Sequence, residues 1–486
     1  MSVVLAIDAG TTGVRTRAVF SDGSPSVASY REFPQYFPRP GWVEHNPTEI
    51  WDAVHHTLCE VIQQLREPVS AIGITNQRET VVAWNKNTGQ PYGNAIVWQD
   101  RRTAEMCEKL QPHLHDIRNT TGLVLDPYFS ASKIAWLLDH QIAPRDDELA
   151  VGTIDSWLIW QLTNGTSFVT DPSNASRTML FDITQLSWSD DMCELFDIPR
   201  GALAEVAPSS GRVGATRNVQ GVPDGIPISG IAGDQQSALF GQACTQIGMA
   251  KNTYGTGSFV LMNVGATCPE IRDGMLTTIA WQINGTTTYA YEGAIFITGA
   301  AVQWLRDGLQ IIDDAHDVQT LAQSVPDSDG VFFVPSFTGL GSPWWDPYAR
   351  GTMIGITRGT TKAHIARAVI DAMVFQTKDV VDAMIGASGV PLAELRVDGG
   401  AASMDFMLQL QADALRVPVL RPDISESTAM GAAYLAGLGE NVWSSVQEIT
   451  DAWKLDQQFT PSADDSYNNM HKQWLRAVSR SRDWLR

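Results

Sequence analysis

The chain has 486 residues, 44% of them hydrophobic, and a formal net charge of −20 at pH 7. That length calls for two or three domains, and the hydrophobic content excludes a disordered chain. The charge argues against nucleic acid or an anionic membrane as the main partner, and no apolar run approaches the ~18 residues of a membrane span.

The first predicted element is a hairpin. Val3 to Ile7 is β-rich and delivers Asp8 into the turn Gly10-Thr11-Thr12-Gly13, after which Val14, Thr16 and Ala18 alternate with Arg15, Arg17 and Val19. Glycines let backbone N–H groups approach an anion, hydroxyls add donors, and a neighbouring acid can hold hydrated Mg²⁺. Alone, such a turn is equally ordinary hairpin chemistry. No basic segment precedes Val3, and the five cysteines (Cys59, Cys107, Cys193, Cys244, Cys268) are scattered without a C-x-x-C. Both features predict a cytoplasmic, reducing setting.

Next come a Pro-broken edge strand and loop from Arg31 to His45, then a helix opened by Asn46-Pro47-Thr48, with Ile50, Val54, Leu58, Val61, Ile62 and Leu65 at helical spacing. A buried strand, Val69 to Thr75, empties into Asn76-Gln77-Arg78-Glu79; ligands of open α/β sheets sit at such carboxyl ends. Val81 to Trp84 and Ala95 to Trp98 read as strands, Arg102 to Leu110 and Ala131 to His140 as helices, and Val151 to Leu162 fits neither pattern cleanly. After a Gly-, Pro- and Ser-rich stretch, the strand Ile226 to Ile231 runs into Gly233-Asp234-Gln235-Gln236.

Gly248 to Asn263 repeats the opening plan: strand, Gly255-Thr256-Gly257 turn, strand. Glu292 to Leu305 reads as containing a helix, Val331 to Pro335 as a strand, and Thr361 as the cap of a helix that Gly386 stops near Ile385. Leu395 to Val397 feeds Asp398-Gly399-Gly400-Ala401; helices follow from Phe406 and Thr428, and a terminal helix spans Ser466 to Arg486 with Trp474, Val478 and Leu485 on one side. Two halves that each begin with a hairpin and a Gly-Thr turn suggest duplicated α/β domains, 1–242 and 243–486, facing a cleft. Four Gly-rich turns at strand ends, with Asp or Thr beside them, suit a nucleotide clamped between them.

The turns D-A-G-T-T (8–12), G-D-Q-Q (233–236), Y-G-T-G-S-F (254–259) and D-G-G-A (398–401) resemble the phosphate, catalytic and adenosine motifs of the actin-like ATPase superfamily. Within it, Tyr128-Phe129-Ser130-x-x-Lys133-x-x-Trp136 and Gly351-x-x-x-Gly355-Ile356 to His364-Ile365 resemble the two signatures of the FGGY carbohydrate kinases. The stretches G-I-T-N-Q-R-E-T (73–80), N-A-I-V-W-Q-D-R-R-T-A-E (94–105), N-A-S-R-T-M-L-F (174–181) and F-T-G-L-G-S-P-W-W-D-P-Y-A-R-G (337–351) are similar to the glycerol-phosphorylating branch of that family. The resemblance implies two ribonuclease H-like domains around a cleft and ATP-dependent phosphorylation of glycerol to sn-glycerol 3-phosphate. Mg²⁺ would be the cofactor, and the protein would be a homo-oligomer, dimer or tetramer, with no membrane insertion and no nucleic-acid partner.

It also implies roles. Asp234 would be the general base and Arg15 would reach the transferred phosphoryl group. Arg78, Glu79, Trp98, Tyr128, Gln235 and Phe259, with Asp234, would surround the acceptor. Gly10, Thr11, Thr12, Gly13, Arg15, Thr256, Gly257, Gly299, Gln303, Gly400 and Met404 would contact the nucleotide, and Asp8 with Asp234 would hold the metal. Departures are Ala9 for the usual Gln, Gly13-Val14 for a Ser pair, and Met404 for an Asn near the adenine. Alternatives are an FGGY kinase for dihydroxyacetone, a tetritol or a pentulose, and a non-enzymatic actin-like nucleotide switch.

Overall fold

The computed structural model describes residues 2–23, 26–424, 426–463 and 466–486. The opening hairpin forms as its sequence requires. Strands Val3–Ala9 and Gly13–Phe20 pair antiparallel, with Asp8 opposite Arg15 and Ala9 opposite Val14. Val3, Val4, Leu5, Ala6 and Ile7 are all fully buried, which explains the lack of polar alternation: both faces of this sheet are covered.

The first sheet runs in the order Ser210–Ala215, Pro227–Gly233, Val69–Asn76, Val3–Ala9, Gly13–Phe20, Ala28–Glu32. The second runs Leu455–Phe459, Val419–Pro422, Glu394–Gly399, Met249–Tyr254, Ser258–Gly265, Thr286–Ile295, Leu276–Ile283. In each, a hairpin and a third antiparallel strand lie on one side and two parallel strands and an antiparallel edge on the other. The second sheet adds one further strand, Leu276–Ile283. The echo between the two Gly-Thr turns is thus a repeat of whole sheets.

Helix Pro47–Gln64, capped by the Asn46 side chain on Thr48 N–H at 2.9 Å, packs Ile50, Val54, Leu58 and Val61 on one face of the first sheet with Ile154, Trp157 and Leu158. The other face meets two helices, Asp234–Gly241 and Ser427–Gly439, the second arriving from late in the chain. Contact here is backbone to backbone. A Cβ at Gly73 would come within 2.0 Å of the Ala432 carbonyl oxygen, and one at Gly431 within 1.8 Å of that of Ser237. Helix Lys362–Ser388 covers the second sheet through Val369, Met373, Val380 and Met384. A smaller sheet (Glu44–His45, Ala95–Ile96, Val81–Asn85, Leu149–Thr153) with helices Ala104–Lys109, Leu114–Thr121 and Ser130–Asp139 holds a separate core.

Several expectations change. Val151 to Leu162 is a strand to Thr153, then a helix, Ile154–Leu162. The strand expected over Ala95–Trp98 stops at Ile96, leaving Trp98 in a turn. Glu292 to Ile295 is strand, and the helix starts only at Gly299, because Ser258–Gly265 pairs with this run. Gly386 lies inside the long helix; the stop is Gly389, whose φ of 68° gives the left-handed cap. One interior glycine costs only about 1 kcal/mol, which packing of a 27-residue helix outweighs. The last helix ends at Ser481, so Leu485 is exposed while Trp474 and Val478 are buried. Among the described residues no helix is long and apolar enough to cross a membrane.

Candidate active site

Strand Val69–Asn76 ends just before Arg78 and Glu79, and Glu79 takes a left-handed φ of 63°. On a continuing strand these neighbours would face opposite sides. The turn instead brings both into one buried ionic cluster. Arg78 Nη1 donates to Glu292 Oε2 at 2.5 Å and Nη2 to Glu292 Oε1 at 3.1 Å, while Nε lies 3.0 Å from Asp234 Oδ1. Arg177 Nε donates to Glu79 Oε1 at 2.7 Å and Nη2 to Glu292 Oε1 at 3.1 Å. The side chains of Arg78, Glu79, Arg177 and Glu292 are at most 2% exposed. Burial pushes the Glu79 carboxyl up, against the pull of Arg78 and Arg177. Burial acts likewise on Glu292, but Arg177 and Arg78 outweigh it and hold that carboxyl below its usual range.

Aromatic rings border this cluster. Tyr128 accepts from Arg78 Nη2 at 3.4 Å and meets Trp98 edge to face at 5.6 Å; Phe259 lies 6.0 Å from the Arg78 guanidinium. Lys133 of the first family signature is structural: its buried ammonium donates to the carbonyls of Pro127, Tyr128 and Phe129 and so fixes the segment carrying Tyr128. Trp98 Nε1 donates to Thr11 Oγ1 at 3.0 Å, tying the aromatic wall to the first glycine turn.

Asp234 opens helix Asp234–Gly241 at the carboxyl end of Pro227–Gly233 and remains 30% exposed. Its Oδ1 accepts from the Gln235 N–H at 2.7 Å. Burial and the charge of Asp234 raise the Asp8 carboxyl to about 7, with Arg15 only partly offsetting them. A divalent cation would relieve the repulsion between these two carboxylates. No group of three or more His, Cys, Asp or Glu is placed to hold a metal ion among the described residues. A two-carboxylate site suits Mg²⁺, which keeps waters and takes further oxygens from phosphates.

Each glycine turn is closed by a bond between its first and last glycine, across four residues in the first and three in the second. Gly10 N–H donates to the Gly13 carbonyl at 3.0 Å, and Gly255 N–H to the Gly257 carbonyl at 2.8 Å. Thr12 is exposed, and Gly10 and Thr11 are partly so. A Cβ at position 13 would sit 2.7 Å from the Tyr30 hydroxyl and 2.8 Å from the Arg31 carbonyl, so glycine there follows from the close approach of the third strand. Arg15 is paired with Glu426, which Arg17 also contacts, just ahead of helix Ser427–Gly439.

Gly299 N–H donates to the Gly255 carbonyl at 3.0 Å and Ala300 N–H to the Thr256 carbonyl at 3.0 Å, so the helix bearing Gln303 is seated on the second turn. Gln303 is exposed. Gly400 has open space where a Cβ would be, whereas Met404 is buried in the second core.

Arg177, Glu292 and Lys251 were not among the expected site residues. The signal for Glu292 and Lys251 is a lone charge within a strand that is otherwise apolar or uncharged. A cavity of about 460 Å³ lined by Trp51, Trp157, Trp160 and Gln161 shares no residue with this cluster.

The model of the FGGY family of carbohydrate kinases, N-terminal domain, matches residues 3–241, and that of the C-terminal domain matches 250–440. Glycerol kinase 2 of Thermotoga maritima is 53% identical, covering 100% of this chain and 99% of its own. Glycerol kinase of Xanthomonas axonopodis pv. citri is 51% identical over 98% of this chain and 97% of its own. Among solved structures, Plasmodium falciparum glycerol kinase with ADP superposes with a TM-score of 0.94 at 35% identity, covering 99% of this chain and 98% of that one. Gluconate kinase from Lactobacillus acidophilus shares the fold at a TM-score of 0.91 and 21% identity, covering 99% and 98%.

Proposed function

The chain belongs to the FGGY family of carbohydrate kinases, and from that premise we infer that it phosphorylates glycerol with ATP to give sn-glycerol 3-phosphate. The observation that carries the choice of acceptor is identity above 50% with glycerol kinases along the whole chain. The geometry supports it: a compact set of charged groups edged by aromatic rings suits a molecule that is all hydroxyls on a short carbon backbone. Such a site rejects ligands lacking a hydroxyl, because its own buried polar groups would be left unpaired.

In this reading Arg78 and Glu79 hold two hydroxyls, and Trp98, Tyr128 and Phe259 flank the carbon chain. The remaining hydroxyl loses its proton to Asp234 as its oxygen attacks the γ-phosphorus in line. Arg78, 3.0 Å from Asp234, keeps that carboxylate next to the acceptor. Backbone N–H groups of the turns at Gly10–Gly13 and Gly255–Gly257 cradle the phosphates. Arg15 exchanges Glu426 for the transferred group, where its charge stabilises the transition state. Asp8 and Asp234 would hold Mg²⁺, which supplies charge neutralisation on the phosphates when bound. Gly299, Gln303, Gly400 and Met404 border the adenine nucleotide. In this reading the boundary between the two domains lies near Gln242, just after helix Asp234–Gly241.

A panel of acceptors with ATP and Mg²⁺, with products identified, tests this. Glycerol is expected to give the highest kcat/KM; preference for a pentulose, a tetritol or dihydroxyacetone would replace it, and nucleotide-dependent filaments with no phosphorylated product would point to the switch.

A further inference from the structure

Lys251 has no part in the mechanism above, yet it is a fully buried lysine at the edge of the acceptor cluster. It lies in strand Met249–Tyr254, between Leu261 of the antiparallel neighbour and Arg396 of the parallel one. Its ammonium donates to the side-chain oxygen of Gln235 and, at 3.0 Å, to Thr253 Oγ1. Asp398, Asp234 and Glu292 favour its charge and Arg78 opposes it; burial is the largest influence and brings it down to about 8.

An ammonium has donors only, while a glutamine side chain has an accepting oxygen and a donating nitrogen. Lys251 therefore decides which way the Gln235 amide faces. With Oε1 committed to the ammonium, only Nε2 is left for anything else, and no protein acceptor lies within hydrogen-bonding distance of it among the described residues.

We propose that Lys251 is a positioning residue that locks the Gln235 amide with its N–H₂ group towards the acceptor, so that the glycerol hydroxyl beside Gln235 can only accept there and must turn its own proton elsewhere. Asp234, the preceding residue, is the carboxylate at hand. A row of hydrogen bonds with one sense then runs from Lys251 through Gln235 and the hydroxyl to Asp234. The reverse amide orientation would offer the hydroxyl an oxygen, and its proton would compete between Gln235 and the base. This inference rests on the glycerol reading.

Two variants test it in the full chain, with glycerol and ATP KM measured separately. Lys251→Met frees the amide to turn. Gln235→Glu keeps a partner for Lys251, indeed a charged one, but removes the Nε2 donor. Both are expected to raise the glycerol KM at least tenfold and to lower kcat, while the ATP KM stays within twofold. If Lys251 only supported the fold, Lys251→Met would shift both KM values alike, and that result overturns the proposal; a wild-type glycerol KM in Gln235→Glu overturns it too, because the amide would then face no hydroxyl. Should Lys251→Met not fold, Lys251→Gln, whose amide can turn either way towards Gln235, takes its place and is read by the same split between the two KM values. Wild-type protein with no glycerol turnover would sink the glycerol reading itself, and this inference with it; turnover by wild type together with an unchanged Gln235→Glu would sink only the inference.

Discussion

Around Arg78 the protein buries Glu79, Arg177 and Glu292 in mutual contact, whereas the turns at Gly10–Gly13 and Gly255–Gly257 consist mainly of backbone and two kinds of small residue. On the proposed reading, the difference follows from what each side would bind. A neutral polyol offers only the directions of its hydroxyls, so it is read by side chains whose positions are fixed by one another. Charged side chains in a dry site bear a desolvation penalty, and pairing is what keeps them there. A triphosphate brings its own charge, and N–H groups that can come close suffice. The acceptor side should therefore fail when a partner is deleted, and the phosphate side when a single carbon is added.

Asp234 belongs to both sides, and its loss is expected to have the largest effect. Asp234→Asn should lower kcat by about a thousandfold, while calorimetry still detects glycerol; retained turnover would remove it as the base. Glu79→Ala leaves Arg177 with a buried charge and an empty partner position. Truncating one member of such a pair costs about 2–5 kcal/mol, so the glycerol KM should rise by about a hundredfold and the ATP KM by less than threefold. Equal shifts would mean that Glu79 does not face the acceptor.

Gly257→Ala tests the other side. The added Cβ would lie 2.3 Å from the Ile295 carbonyl oxygen, and relief of such overpacking costs about 1–3 kcal/mol. The ATP KM should rise by about tenfold with the glycerol KM unchanged; the reverse pattern would erase the distinction between the two sides. The smallest effect is on stability. In metal-free protein Asp8 keeps its proton up to about pH 7, against 3.8 for an ordinary aspartate. Between those values the folded state holds a proton that the unfolded chain has released, so stability falls as pH rises from about 4 to 7 and then levels off. Asp8→Asn should therefore raise Tm at pH 8, by about 1–3 °C, and leave it unchanged at pH 4. No gain at pH 8 would show that burial and Asp234 do not strain the Asp8 carboxylate.

The two glycine turns proposed to hold the phosphates were legible in the sequence because each is local: the residues that make it are consecutive and lie between two strand patterns. Asp234 was legible as an acid at a strand end. The acceptor side was only half visible. Arg78 and Glu79 could be placed through the family resemblance, but an adjacent Arg-Glu pair is by itself an ordinary surface feature. Their partners, Arg177 and Glu292, are about 100 and 200 positions away, and their pairing exists only once the sheets have come together. Glu292 was also hidden by context, since E-G-A-I reads as readily as a helix start as it does a strand buried on both faces. Arg15 shows the same limit: its pairing with Glu426 joins opposite ends of the chain.

Helix Ser427–Gly439 has a consequence for how the protein is made. It covers one face of a sheet whose last strand to be synthesised ends at Gly233, roughly 190 residues earlier. At 5–20 residues per second the ribosome needs about 10–40 s to span that gap. Throughout that time Val4, Ala6, Ala71 and Ala232 lack the second of the two helices that cover them. The first half of the chain cannot complete its packing as it emerges, and the nascent protein is most exposed to misassociation and to chaperones in the interval before its last sixty residues appear.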